Sequence, residues 1–209
     1  AIFKGATLVL QAVPRPTEIL ETIQREKITR AVVVPTQFEG IVNHPDLNKY
    51  DVRSLRIIGT TGTALPADIT RKAAEYFGQF GCAFMGSSLG ASEGLLALSE
   101  LSDSLDVKLE TVGHNVTLGS HYKVVDEEER ELPLNTEGEL VAKGPETFTG
   151  YYKTTPEENK EAFTHDGYFW TGDLARINER GYITITGRRE DVIIRGGETL
   201  VPGAMENLI

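Results

Sequence analysis

Residues 59–66 read GTTGTALP, with two glycines, three threonines and a proline. Leu55, Ile57 and Ile58 lie just before it as a short apolar run, the pattern of a buried strand. Pro66 can open a helix, where its missing N–H costs nothing. Ile69, Ala73 and Phe77 then fall on one helical face. Strand, glycine-rich turn and helix together aim backbone N–H groups at an anion, so the chemistry on offer is phosphate binding. A triphosphate loop also carries a lysine at its end that reaches the outer phosphates. Here Ala67 follows Pro66, and the nearest lysine, Lys72, lies well inside the helix. Two readings stand at this point: a phosphate cradle, or a tight turn that uses glycine for its backbone freedom.

The surrounding elements must position any such site. ATLVL (6–10) is an apolar run, and Thr17 is placed to cap a helix carrying Ile19, Leu20 and Ile23, with Glu18 in its first turn. RAVVVP (30–35) is apolar and β-branched on both faces, as in a strand covered on both sides. A helix over QFEGIVNH, the strand, turn and helix just described, and a short run CAFMG (82–86) complete an α/β pattern with a mostly parallel sheet. Near residue 110 the texture changes. HYKVVDEEERELP (121–133) alternates around an acidic, solvated turn, and GELVAKG (138–144) is a short strand between glycines. Thr155, Pro156 and Glu158 form a capping box opening a helix to about Phe163. LARI and YITIT flank NERG as another hairpin. This half reads as antiparallel β, barrel-like in character. The expected division is an α/β subdomain over 1–110, a β subdomain over 111–187 and a hinge with the start of a further domain over 188–209.

Composition narrows the function classes. The net charge of −10 gives a nucleic-acid role no global electrostatic support. The single cysteine, Cys82, excludes an intrachain disulfide and fits a reducing, cytoplasmic setting. No apolar stretch is long enough to span a bilayer. The chain opens on Ala1 with no charged leader before an apolar run, so no signal peptide is expected. Both ends read as cut from a longer polypeptide.

Residues 167–198, GYFWTGDLARINERGYITITGRREDVIIRGGE, resemble the adenylate-forming superfamily of acyl-CoA synthetases, aryl-acid adenylating enzymes, peptide-synthetase adenylation domains and luciferases. TGDL, a hairpin ending in GR and then a GG pair stand in the family's order and spacing. The resemblance extends upstream. GELVAKGPETFTGYYKTTPEENKEAF is similar to the stretch before TGD, and TVGHNVTLGSHYKVVD resembles the SVGRPxPG-type segment, with His114 and Asn115 as departures. LGASEG (89–94) resembles the aromatic-Gly-x-Thr-Glu motif, and LGASEGLLALSELSD has the flavour of the 2,3-dihydroxybenzoate type.

The resemblance resolves the opening stretch. The family's own triphosphate loop lies upstream of this chain's first residue, and GTTGTALP stands where a Gly-Gly-Ala-x-Leu-Pro motif lines the adenine pocket. Thr61, Gly62 and Thr63 would then touch the base, and the phosphates would sit elsewhere. By the same resemblance Glu93 would hold Mg²⁺ beside the phosphates, and the Ser92 hydroxyl would donate to a phosphate oxygen. Leu89, in place of the usual aromatic, would form an apolar wall with Gly90 and Ala91. Asp173 would accept hydrogen bonds from both ribose hydroxyls, a carboxylate having two acceptor oxygens spaced for a diol. Arg188 would reach the ribose or phosphates. Ile185 would pack beside the base or simply serve the hairpin core. Glu190 would be the hinge residue. Gly196 and Gly197 would line a pantetheine tunnel, form a hairpin turn, or do both. Phe38, Thr60 and residues 84–88 are candidates for the acid pocket.

What the resemblance implies is an ATP-dependent ligase with Mg²⁺ and coenzyme A as cofactors. It would turn a small carboxylic acid into an acyl-adenylate and then a thioester. The chain lacks the triphosphate loop, the upstream histidine region and the C-terminal lysine of the family, so it is expected to be inactive alone. A carrier-protein phosphopantetheine arm is an alternative thiol partner. A truncated binding or scaffold protein that kept the fold is the non-enzymatic alternative.

Overall fold

The computed structural model describes residues 5–61 and 65–191, and the backbone of 193–195 and 198–200. It divides into two compact units, residues 1–84 and 85–209. Each is taken by itself.

In the first unit a three-stranded parallel sheet is built from β1 (Arg30–Val33), β2 (Ile57–Thr60) and β3 (Ala83–Phe84), in that order. Its helices are α1 (Pro16–Glu26), α2 (Pro35–Val42) and α3 (Ala67–Gly78). Ile69, Ala73 and Phe77 of α3 are all buried, as their spacing predicts. They join Leu20, Ile23, Phe38, Ile41, Leu55 and Ile58 in the core. Two readings need correction. Thr17 lies inside α1, after the extended Arg15 at the cap and Pro16 at the first position, and its hydroxyl meets His44 Nε2 at 3.1 Å. Proline at the first turn already leaves one fewer N–H to satisfy, so the helix starts without a side-chain cap. The β1 strand is covered on one side only. Among the described residues it is an edge strand, and Val32 and Val34 are 56% and 44% exposed. The apolar run at 6–10 lies in irregular chain, with Leu8 and Leu10 exposed.

The second unit is antiparallel β. One sheet is β4 (Leu89–Ala91), β5 (Leu95–Leu98) and β6 (His114–Asn115). The other runs β10–β9–β8–β7, from β7 (His121–Val125), β8 (Gly138–Lys143), β9 (Phe169–Ile177) and β10 (Ile183–Arg188). Two short helices, α4 (Leu105–Glu110) and α5 (Pro156–Glu161), lie between strands, and β11 (Ile193–Arg195) pairs with β12 (Glu198–Leu200). The capping box is present: Thr155 Oγ1 accepts from Glu158 N, and the Glu158 carboxylate accepts the Thr155 N–H. The acidic stretch after β7 is a turn in which Asp126 accepts two backbone N–H groups, but its return leg makes one bridge, Val125 to Glu131, and the full partner of β7 is β8. The two sheets share a core. Ala97 and Leu95 of β5 pack with Val124, Leu140, Ala142, Phe169, Ala175 and Ile183. They are also joined by backbone bonds, Val112 N–H to Ile183 C=O at 2.9 Å and Ile183 N–H to Gly113 C=O at 2.8 Å. The sheets stay open; among the described residues no barrel closes.

Candidate active site

Three residues of β9, Thr171–Gly172–Asp173, break the ladder against β8, and β10 carries a bulge of its own just beyond them. Against β8, Glu139 pairs with Leu174 and Val141 with Trp170, so Leu140 alone faces all three. Against β10, Thr186 is the extra residue between the Ile185–Ala175 and Gly187–Leu174 pairs. Bulges of this kind re-aim a side chain within a sheet. The local sequence explains how the bulge is held. Gly172 adopts φ +74°, a region that costs an L side chain energy and glycine nothing. Thr171 Oγ1 donates to Leu140 C=O at 2.8 Å and accepts the Asp173 N–H at 3.1 Å, satisfying two backbone groups that the broken ladder leaves over.

The result is a carboxylate held in a fixed place. Asp173 is nearly buried, and Arg188 Nε lies 3.1 Å from its Oδ1. Arg188 also donates to Thr171 C=O at 3.3 Å. Burial pushes the Asp173 carboxyl above its ordinary range, and Arg188 opposes that shift. The group is thus set up to gain from any donor that arrives to share its charge.

A second constellation forms around Glu93. Ser92, Glu93 and Gly94 make the turn between β4 and β5. Gly94 sits at φ +96°, and a Cβ there would fall 1.8 Å from the Glu146 carbonyl oxygen, so the segment at 144–148 packs directly on the turn. Phe148 N–H donates to Glu93 C=O at 2.8 Å, and Tyr151 Oη donates to Glu93 Oε1 at 3.0 Å. A single carboxylate fits an Mg²⁺ that arrives with substrate phosphates and keeps several waters, rather than an ion caged by protein alone. Among the described residues no cluster of three metal-binding side chains exists.

Residues 1–152 match the AMP-binding enzyme family. The chain belongs to that family. It is therefore a member of the adenylate-forming superfamily. The 2,3-dihydroxybenzoate-AMP ligase of Bacillus subtilis is 31% identical over 99% of this chain and 37% of its own length. A putative acyl-CoA synthetase, YngI, of the same organism is 32% identical over 98% of this chain and 37% of its own. The ATP-bound crystal structure of MatB from Rhodopseudomonas palustris superposes with a TM-score of 0.79 at 32% identity, covering 91% of this chain and 36% of that one. The chain thus spans a little over a third of the length of these relatives.

Of the family positions expected from sequence, Asp173 and Arg188 come together. Leu89 and Ile185 both pack against the shared core of the second unit. Ser92, Gly90 and Ala91 are exposed at the β4–β5 turn. Glu190 is exposed in a 3₁₀ turn, Arg189–Asp191, directly after β10. Thr61 follows β2 and is half-buried. Gly62, Thr63, Gly196 and Gly197 lie outside the described residues. Among the acid-pocket candidates, Phe38 is fully buried, with its ring 6.5 Å from that of Phe77 and 5.6 Å from that of Phe84. In this unit it is a core residue. A groove of about 500 Å³ in the same unit, lined by His44, Leu47, Lys72 and Tyr76 among others, contains none of the expected site residues. Cys82 is buried and its thiol is pushed up to about 11, which removes it as a nucleophile.

Sequence reasoning missed Thr171, Tyr151 and Glu139. A threonine beside a Gly-Asp pair is a detectable signal, because such hydroxyls bond backbone groups in turns. Tyr151 carries no local signal, since its partner Glu93 is 58 residues away.

Proposed function

We propose that the chain is part of an enzyme that activates a small carboxylic acid with ATP. The acid's carboxylate oxygen bonds to the α-phosphorus, the bond to pyrophosphate breaks, and an acyl-adenylate results. A thiol then displaces AMP to give a thioester, the thiol being coenzyme A or a carrier-protein phosphopantetheine arm. The observation that supports this most is the buried Asp173 carboxylate, held by a bulge and paired with Arg188. In this reading its two oxygens receive the ribose hydroxyls, and Arg188 faces the charge that develops on phosphate. Such pre-set groups do most of the electrostatic work in transfers of this type. Glu93 would hold Mg²⁺, which would supply charge neutralisation at the phosphates, and Tyr151 keeps the Glu93 carboxylate oriented. Glu190 is the pivot about which a further domain turns between the two half-reactions. An aryl acid is favoured over a fatty acid by the 2,3-dihydroxybenzoate-type stretch and by the relative of that name.

Acid-dependent exchange of labelled pyrophosphate into ATP tests this. A polypeptide of the relatives' length that carries this sequence should catalyse it, and the 209 residues alone should not. In the active polypeptide Glu93→Gln should impair exchange, and the defect should shrink as Mg²⁺ is raised. A defect indifferent to Mg²⁺ from micromolar to tens of millimolar would remove the metal role. If the gene encodes no such longer polypeptide, a binding or scaffold protein becomes the better reading.

A further inference from the structure

Beside the Asp173–Arg188 pair lies a second acid–base pair with no role in the reading above. Glu139 of β8 is 8% exposed. Its Oε2 meets Arg189 Nη1 at 2.5 Å. Arg189 lies over the ring of Trp170, 5.8 Å from its centroid, which fixes the guanidinium from its other side. The sequence relation is close. Arg189 immediately follows Arg188. One buried carboxylate, on the strand that faces the bulge, therefore grips the residue next to Arg188, and that residue's guanidinium covers Trp170 just ahead of the bulge.

A buried carboxylate is costly unless it is paired and hydrogen-bonded. The simple explanation for keeping one is that it serves something local. We propose that Glu139 is a positioning residue: through Arg189 it ties β8, opposite the β9 bulge, to the end of β10 and thereby holds Asp173 and Arg188 in register for the nucleotide sugar. The second half of this statement rests on the reading of Asp173 given above; the first does not. The bulge alone does not supply this tie. The Thr171 hydroxyl bonds only β8 and β9 groups, and Arg188 itself is 60% exposed at a strand end. Without Glu139, Arg188 would be held to β9 by its pairing with Asp173, its bond to the Thr171 carbonyl and the ladder.

The test reads the latch directly, on the 209-residue chain and without nucleotide. Arg188 Nε lies 3.1 Å from Asp173 Oδ1, so exchange of its Nε–H with solvent, followed by ¹⁵N–¹H spectroscopy, reports how tightly the pair is held. Glu139→Asp keeps the charge but withdraws it by one methylene, so that it can no longer reach Arg189. Arg189→Gln releases the latch from its exposed end and leaves the core untouched if the Glu139 variant does not fold. Loss of one charge-assisted bond should speed Arg188 Nε–H exchange about tenfold in either variant. Unchanged exchange in a folded variant would overturn the latch.

A nucleotide arm then tests what the latch is for, in the complete enzyme. Both variants should lose affinity for AMP more than for 2′-deoxy-AMP, and neither should add to the loss caused by Asp173→Ala. A lowered melting temperature with the preference for AMP intact would show a merely structural ion pair and overturn the positioning role. If Asp173→Ala itself leaves that preference unchanged, the ribose reading of Asp173 fails, and the exchange result on Arg188 still decides the latch.

Discussion

Replacing Thr171 by valine removes one hydroxyl and almost nothing else. The side chain keeps its shape and its β-branched preference for a strand. What is lost is the donation to Leu140 C=O at 2.8 Å and the acceptance from Asp173 N–H at 3.1 Å. Each neutral bond contributes roughly 0.5–1.5 kcal/mol, and a buried group left without a partner costs about 1–3 kcal/mol. Leu140 is fully buried and Asp173 nearly so, so water cannot readily replace the hydroxyl. Thr171→Val should therefore destabilise the second unit by about 2–3 kcal/mol. For a chain of this size that is a fall in melting temperature of roughly 4–12 °C. Thr171→Ser, which keeps the oxygen, should recover more than half of the loss. Denaturant titration of both variants, followed by Trp170 fluorescence, measures this, since Trp170 is the only tryptophan and lies next to the bulge. If Thr171→Val unfolds within 0.5 kcal/mol of the parent, a difference ordinary for a neutral surface substitution, or if serine is as damaging as valine, the hydroxyl does not hold the bulge.

Two further outcomes follow from the same geometry. Gly94→Ala should prevent the second unit from folding stably, because the added Cβ would lie 1.8 Å from a backbone oxygen at a φ of +96°; circular dichroism and proteolysis of the variant check this, and a native-like melt would show that segment 144–148 can yield. Asp173→Asn should leave the protein as stable as the parent, or more so, at neutral pH. Burial raises the folded-state pKa of Asp173, so its ionised form costs stability above that pKa. The cost, and with it the advantage of asparagine, should fade as pH drops through the folded value and vanish below the ordinary carboxylate range. An advantage that instead grows on acidification would reverse the sign of the argument.

Much of the fold was legible in the sequence because burial imposes its period locally. The α3 face, the capping box of α5, strand β8 and the β9–β10 hairpin are each specified by residues within one element. The failures share a cause. Whether the RAVVVP strand is covered on one side or two depends on what packs over it, and apolar content alone cannot say. The acidic turn after β7 marks a reversal correctly, but the partner strand is chosen by the ladder farther on. At the candidate site, motif resemblance located Asp173, Arg188 and Glu93. The groups that hold them are set by register. Glu139 reaches Arg189 across 50 residues of chain, and the break in register between β8 and β9 brings the Thr171 hydroxyl onto the Leu140 carbonyl.

The central claim is that Asp173 receives the ribose diol of an adenine nucleotide. The dissociation constants of AMP and 2′-deoxy-AMP, measured by calorimetry on the complete enzyme and its Asp173→Ala variant, test it most directly. A hydrogen bond to a charged group contributes roughly 1.5–3 kcal/mol, so Asp173→Ala should weaken AMP at least about tenfold. The 2′-deoxy compound, already one donor short, should lose distinctly less. Equal losses for the two nucleotides would mean that this carboxylate does not read the sugar, and the account of the site would fall with it.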